Sequence, residues 1–197
     1  ERAAALDAAS VTVDSAASYG EEAEQALRAA NERAEQIAAD AEARWVITDG
    51  VFSMEGDLPR LPELVTLCRE HDAILVVDDS HGAGVLGRTG RGTAEHFGLH
   101  GEVDIVTGTL GKALGGASGG CVSGRKELIE LCRQKARPYL FSNSIAPPIV
   151  AASLKVMEMV KGNTKWRDRL EANTKRFRAG LEEAGLNLRP GETPIVP

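Results

Sequence analysis

Short apolar runs alternate with amphipathic stretches from Trp45 onward, and the two textures differ in period. Trp45–Thr48 reads as a strand. Leu61, Leu64, Val65 and Cys68 recur at i, i+3, i+4 and i+7, which predicts a helix with one buried face. Ala73–Val77 is apolar at every position, as expected of a parallel strand covered on both faces. Val103–Val106 repeats that pattern more briefly, and Gly119–Val122 predicts a further strand. Leu128, Ile129 and Cys132 share one side of a helix, and Pro147-Pro148 is placed to open another through Val150, Leu154 and Met157. The last helix carries Trp166, Leu170, Phe177, Leu181 and Ala184 on one face, with Gly185 next as a C-cap. Its Lys/Arg-rich stretch, residues 165–178, is expected to be the solvated side. Upstream, Leu27, Ala30, Ala34, Ile37 and Ala41 fall at helical spacing, whereas residues 1–19 give no clear signal. Strands alternating with helices predict a layered α/β fold around a mainly parallel sheet.

Composition narrows the function classes. A chain of 197 residues, 43% hydrophobic and 26% charged, can bury a core of its own. The net charge of -6, with no Lys/Arg run, leaves no basic footprint for nucleic acid and no polybasic patch for a membrane. No apolar run approaches the length of a membrane span, and no charged-then-apolar leader opens the chain. Cys68, Cys121 and Cys132 form no CxxC pair, which argues against structural zinc or a disulfide framework. They are read as small buried apolar groups in a reduced, cytoplasmic protein. The absence of an initiator Met before Glu1, and the strand-like Ile195-Val196-Pro197 at the end, predict a piece of a longer protein.

The polar residues gather where the strands end, which is where ligands bind in open α/β sheets. Strand 45–48 runs into Asp49-Gly50-Val51-Phe52-Ser53, and strand 73–77 into Asp78-Asp79-Ser80-His81. Strand 103–106 runs into Thr107-Gly108-Thr109-Leu110-Gly111-Lys112 and then a glycine-rich stretch to Gly120. HGAGVLG holds a formal GxGxxG at Gly82, Gly84 and Gly87, with Asp104 near the place of a ribose-binding acid. It lacks the direct strand-to-helix turn that a dinucleotide site requires, because DDSH intervenes. GTLGK fails as a phosphate loop: Val106 stands at the first glycine position, and Ala113 where a Ser or Thr is needed. A metal site from Asp78, Asp79 and His81 would lack a further cluster of ligands. Asp78 alone is as well explained as a turn cap, with Asp79 solvated. Pyridoxal phosphate (PLP) chemistry accounts for more of the residues. It needs a carboxylate at the pyridine nitrogen, a lysine able to form an imine, and hydroxyls or backbone N–H groups for the phosphate.

Four segments, in order, sharpen that reading. GTLGKALGGASGG (108–120) resembles the lysine segment of the α-oxoamine synthases, which are fold-type I PLP enzymes. DGVFSMEGD (49–57), VVDDSH (76–81) and RPYLFSNS (137–144) resemble other segments of the same family. The resemblance implies the PLP-dependent aminotransferase-like large domain over residues 45–185, incomplete. It also implies the start of a small C-terminal domain at 186–197, with a helical segment of unclear match at 1–44. By the same resemblance Lys112 is the imine-forming lysine and Asp78 the acid at the pyridine nitrogen. His81 and Ser53 match residues near the cofactor's phenolic oxygen, and Thr109 a phosphate-binding threonine. Phe141 and Ser142 match residues that reach the neighbouring subunit's site, which implies a homodimer.

Within the family, ALGGASGG and RPYLFSNS resemble the branch that condenses glycine with acetyl-CoA to 2-amino-3-oxobutyrate, an activity of threonine and glycine metabolism. The alternatives are the branch that makes 8-amino-7-oxononanoate and a catalytically incomplete piece of the same fold. Family members are about twice this length, and their cofactor-stacking histidine and carboxylate-binding arginine are not evident in this chain.

Overall fold

The computed structural model describes residues 10–12, 44–115 and 118–197. The helix expected over residues 20–43 lies outside them. A five-stranded sheet runs β1 (Ser10–Thr12), β2 (Arg44–Asp49), β3 (Ala73–Asp78), β4 (Ile105–Thr109) and β5 (Gly120–Gly124), neighbours in that order. The first four strands are parallel and β5 is antiparallel to β4. The helices are α1 (Leu61–Glu70), α2 (Thr93–His96), α3 (Lys126–Lys135), α4 (Arg137–Leu140), α5 (Pro147–Val160) and α6 (Lys165–Glu183). Among the described residues, no helix is long and apolar enough to cross a membrane.

The core follows from two periods meeting. Leu61, Leu64, Val65 and Cys68 are all buried on one stripe of α1 and cluster with Val46, Leu75 and Val77 of the sheet. Val46 pairs with Leu75 and Thr48 with Val77, so these rows line the inner face. The outer face is thinner: Val76 is half-buried and its partner Ile47 is 37% exposed. The coverage on both faces expected of β3 is therefore met on one. Asp72, at φ +50, turns α1 back into β3, and the Arg44 guanidinium donates to the His71 carbonyl at 2.5 Å across that turn.

Strand β4 begins and ends two or three residues later than the hydrophobic run 103–106 predicts. The Asp104 carboxylate, not its backbone, accepts the Leu75 N–H at 2.9 Å, so the ladder starts at Ile105. At the other end, pairing with β5 carries the strand over polar Thr107, Gly108 and Thr109. Asp104 thus extends the pairing of β3 and β4 by one side-chain bond.

The C-terminal helices pack differently from the expected faces. Helix α5 turns Ser153 inward and leaves Val150, Leu154 and Met157 41%, 63% and 51% exposed. It is apolar on more than one side, so periodicity alone does not choose the face. Helix α6 leaves Trp166 and Phe177 exposed, while Arg167 and Arg178 of the supposedly solvated stretch are half-buried. The reason is the tail: Arg178 donates to the carbonyls of Arg189 and Ile195, at 3.0 Å each. Thr193, itself buried, donates to the Gly56 carbonyl at 2.8 Å, and Arg189 pairs with the buried Asp57 at 3.2 Å. Cys68 is buried as expected and Cys132 half-buried, but Cys121 is exposed, on edge strand β5, all five residues of which are exposed.

The connection from β3 to β4 carries the glycines of HGAGVLG. Glu95 organises its outer half: its carboxylate accepts the Thr89 N–H and Arg91 N–H at 3.0 Å each, and the Thr89 hydroxyl at 2.7 Å. Gly87, at φ +81, passes so close that a Cβ there would lie 2.3 Å from the carboxylate. Desolvation works against the charged form, but these donors outweigh it and hold the Glu95 carboxyl at about 2. Because the folded value lies below the ordinary 4.5, Glu95 stabilises the fold above pH 4.5 and loses that contribution as pH falls towards 2. The Thr89 and Arg91 amide resonances are expected to titrate together with a midpoint near pH 2. Glu95→Gln should lower the urea midpoint above pH 4.5 and match the wild type near pH 2. A stability difference independent of pH would contradict this assignment.

Candidate active site

Three strand ends meet at one rim. Asp49, Asp78 and Thr107 are register partners across β2, β3 and β4, so their side chains stand side by side on the outer face. The ladder continues one step further, with the Gly50 N–H on the Asp78 carbonyl at 2.7 Å and the Asp79 N–H on the Thr107 carbonyl at 2.9 Å. Beyond it the chain turns: the Ser80 N–H donates to Asp78 Oδ1 at 2.9 Å. The Gly82 and Ala83 N–H groups donate to the Asp79 carbonyl at 3.1 and 2.8 Å.

The electrostatics separate the acids. Burial raises the Asp78 carboxyl, but hydrogen bonds from Ser80 and Thr107 and the charge of Lys112 outweigh it and hold it below the ordinary value. Desolvation, together with the charge of Lys112, lowers His81 against the pull of Asp49 and Asp78, which favours a neutral imidazole. Asp79 goes the other way. It is 3% exposed, and burial raises its carboxyl despite the bonds from Thr93, with the neighbouring Asp78 charge adding to the rise.

That burial overturns the expectation of a solvated Asp79. Successive residues of β3 alternate faces, so Asp79 follows Leu75 and Val77 to the inner side while Asp78 stays outside. Its carboxylate accepts the Thr93 hydroxyl at 2.6 Å and the Thr93 N–H at 2.9 Å. A Cβ at Gly50, Gly82 or Gly92 would come within 2.5, 2.0 or 1.7 Å of it. The glycines that mimic a dinucleotide fingerprint are thus room for a buried acid and for a loop. An unbroken apolar strand carries no signal of which parity faces the core, so the sequence holds no sign of the burial of Asp79.

Lys112 is exposed, just past the end of β4, in a loop whose neck is closed by the Leu110 N–H on the Gly119 carbonyl at 2.8 Å. It shares a cleft of about 270 Å³ with His81 and Ser80. Thr193, Pro194 and Ile195 of the tail close one wall, which sequence reasoning also missed. Thr109 stands at the loop's base, its hydroxyl accepting the Gly111 N–H at 3.1 Å and donating to the Gly119 carbonyl at 3.3 Å. Lys112 and His81 are therefore brought together, with Asp78 within reach of the lysine's charge. Ser53, exposed in the turn after β2, and Phe141 and Ser142, exposed after α4, are not among the cleft's lining. The Arg137 guanidinium lies 5.4 Å from the centre of the Phe141 ring. Among the described residues, no group of three or more His, Cys, Asp or Glu is placed to hold a metal. An adjoining cavity of about 570 Å³ lies against α6. Some of its charges pair internally, as in Lys175–Glu171 and Arg167–Glu171.

The model of the family "Aminotransferase class I and II" matches residues 2–197. The chain belongs to that family. It is 52% identical over 162 residues to 2-amino-3-ketobutyrate coenzyme A ligase of Escherichia coli strain K12, covering 81% of this chain and 41% of the relative. It is 47% identical over 152 residues to 8-amino-7-oxononanoate synthase of Treponema denticola, covering 77% and 38%. Among solved structures, Sphingomonas wittichii serine palmitoyltransferase superposes with a TM-score of 0.79 at 28% identity, over 95% of this chain and 49% of that one. Serine palmitoyltransferase of S. paucimobilis, solved with PLP and myriocin bound, gives 0.77 at 28%, over 95% and 51%. The chain spans about two fifths of the length of the curated relatives it matches. The fold is the fold-type I, aminotransferase-like architecture, and PLP is the cofactor it indicates.

The residues present fit that group. Asp78 is held ionised on the outer face, as a partner for a pyridinium nitrogen must be, and Lys112 projects into the same cleft as His81. The grip on Asp79 is testable through its glycine walls. Gly92→Ala should cost about 2–4 kcal/mol, combining strain at φ +92 with displacement of a buried carboxylate. Gly98→Ala, at φ +71 with open space around it, should cost only about 1–2 kcal/mol. Equal losses in urea unfolding would show that the carboxylate does not fill the space.

Proposed function

We propose that this chain is the PLP-binding portion of an α-oxoamine synthase, an acyltransferase that joins glycine to the acetyl group of acetyl-CoA. The observation that carries the reading is the geometry of the rim: Lys112 shares a cleft with His81, and Asp78 stands at the adjacent strand end, where the charge of Lys112 acts on both. The 52% identity to the ligase supports glycine and acetyl-CoA as substrates over the 8-amino-7-oxononanoate type of donor. Residues 45–185 form the cofactor-binding portion in this reading and 186–197 lead into a small domain, while the segment 1–44, expected to be helical, contributes the strand Ser10–Thr12 to the same sheet.

Bound PLP supplies an electron sink that stabilises negative charge on the amino acid's Cα. Asp78 would hold the proton of the pyridine nitrogen, and its lowered pKa keeps the carboxylate ionised for that task. Lys112 would hold the cofactor, and its amine, when free, would accept the Cα proton of glycine as general base. The Cα electron pair forms a bond to the thioester carbonyl carbon, the carbon–sulfur bond breaks, and CoA leaves with 2-amino-3-oxobutyrate as the second product. His81, kept neutral, and Ser53 would serve the phenolic oxygen, and Thr109 would hold the phosphate. Phe141 and Ser142 complete the site of a second copy, and the exposure of Tyr139, Leu140 and Phe141 supports a homodimeric contact there. The free thiols agree with a reducing, cytoplasmic compartment.

Borohydride reduction of the chain with PLP, followed by peptide mapping, is expected to label Lys112, and Lys112→Ala to remove the label. Glycine with acetyl-CoA should release CoA faster than alanine with pimeloyl-CoA. A label on another lysine would defeat the site assignment. Faster release from pimeloyl-CoA would favour the alternative donor, and no release despite the label would point to a catalytically incomplete portion.

A further inference from the structure

We propose that Asp79 is a positioning residue: through its grip on Thr93 it sets the His81 imidazole and the Asp78 carboxylate against Lys112. The inference rests on the reading of this rim as a cofactor site, and it concerns an acid that makes no contact with the reacting groups.

Residues 78–83 form one compact turn. The Ser80 N–H is bound to Asp78 Oδ1, and the Gly82 and Ala83 N–H groups to the Asp79 carbonyl, so the place of His81 follows from the place of the Asp79 peptide. That peptide has two anchors. Its N–H reaches the Thr107 carbonyl on β4, and its carboxylate reaches Thr93, the first residue of α2, on the far side of the connection. Both side chains are buried, at 3% and 0% exposure. Gly50, Gly82 and Gly92 wall the carboxylate in, and Gly92 does so at φ +92, a conformation other residues adopt only under strain. The carboxylate therefore has a single seat, and the turn it carries has a single position relative to the strand ends.

If the Thr93 hydroxyl bond is cut, the turn keeps its strand-side anchor and one bond, from the Thr93 N–H, in place of two. The His81 imidazole, which faces the charges of Lys112, Asp49 and Asp78, then leaves the environment that keeps it neutral. Support of this kind behind a binding side chain typically governs affinity by about ten- to a hundredfold in metal sites, and a comparable lower bound applies here. A purely structural contact would change stability and leave that environment intact.

The test is Thr93→Val, which removes the hydroxyl but keeps the shape and the N–H, with Thr93→Ser as the conservative rescue. Asp79→Asn serves as a second, independent variant. The imidazole of His81 is titrated by nitrogen NMR in the chain without cofactor, and PLP affinity is measured from the absorption band that appears on binding. The expected result for Thr93→Val and Asp79→Asn is an upward shift of the His81 midpoint and about tenfold weaker PLP binding. Thr93→Ser should restore both. If the variants unfold more easily while His81 and PLP affinity stay at wild-type values, the proposal is overturned. Should Thr93→Val fail to fold, Asp79→Asn decides by the same two readouts. A wild-type chain that binds no PLP would sink the cofactor reading alone, because the His81 titration still tests the positioning.

Discussion

The contact between Asp79 and Thr93 fixes the geometry at the strand ends, and most of the rim depends on it. A carboxylate taken from water must recover its lost hydration through hydrogen bonds. Asp79 does so with two donors from one residue, both within 2.9 Å. Three glycines leave it the space, and a backbone segment of more than a dozen residues is thereby drawn against the sheet. The connection from β3 to β4 has little regular structure of its own, with α2 its one short helix. What it has instead is a pair of acids, Asp79 at its root and Glu95 near its end, each gathering N–H groups that would otherwise go unpaired.

Adjacent acids on one strand meet opposite fates because a strand alternates its faces. Asp78 looks outward to Thr107, Ser80 and the charge of Lys112, and is held ionised. Asp79 looks inward to the core, where burial raises its proton affinity. The ionised partner lies on the open side, where a ligand can use it, and the costly one is enclosed among structural groups. The division lets one short sequence, Asp78-Asp79, serve chemistry and architecture together without the two competing for the same hydrogen bonds.

Much of this architecture is legible in the amino-acid sequence. The stripe of Leu61, Leu64, Val65 and Cys68 marks the buried face of α1, and the apolar run from Ala73 marks β3, because both periods are strong and local. Lys112, Asp78 and His81 are recognisable from ordered motifs, and the fold gathers them. What stays hidden is set by distant partners. The end of β4 depends on pairing with β5, the inward face of α6 on carbonyls of the tail, and the parity of Asp79 on which side α1 covers. The exposed faces of α5 and Cys121 belong to the same class: nothing in an apolar residue's neighbours in sequence states whether cover is present.

The loop that carries Lys112 leaves the sheet at Leu110 and returns to it at Gly119, with both ends hydrogen-bonded to each other. That bond lies beyond the last pair of the β4–β5 register, Thr109 with Gly120, so the register closes before the arm begins. The reach of the lysine and the register of the sheet are separate inheritances. A lineage could lengthen, shorten or stiffen the arm that presents the amine while the platform holding Asp78 and Thr107 stayed where it was.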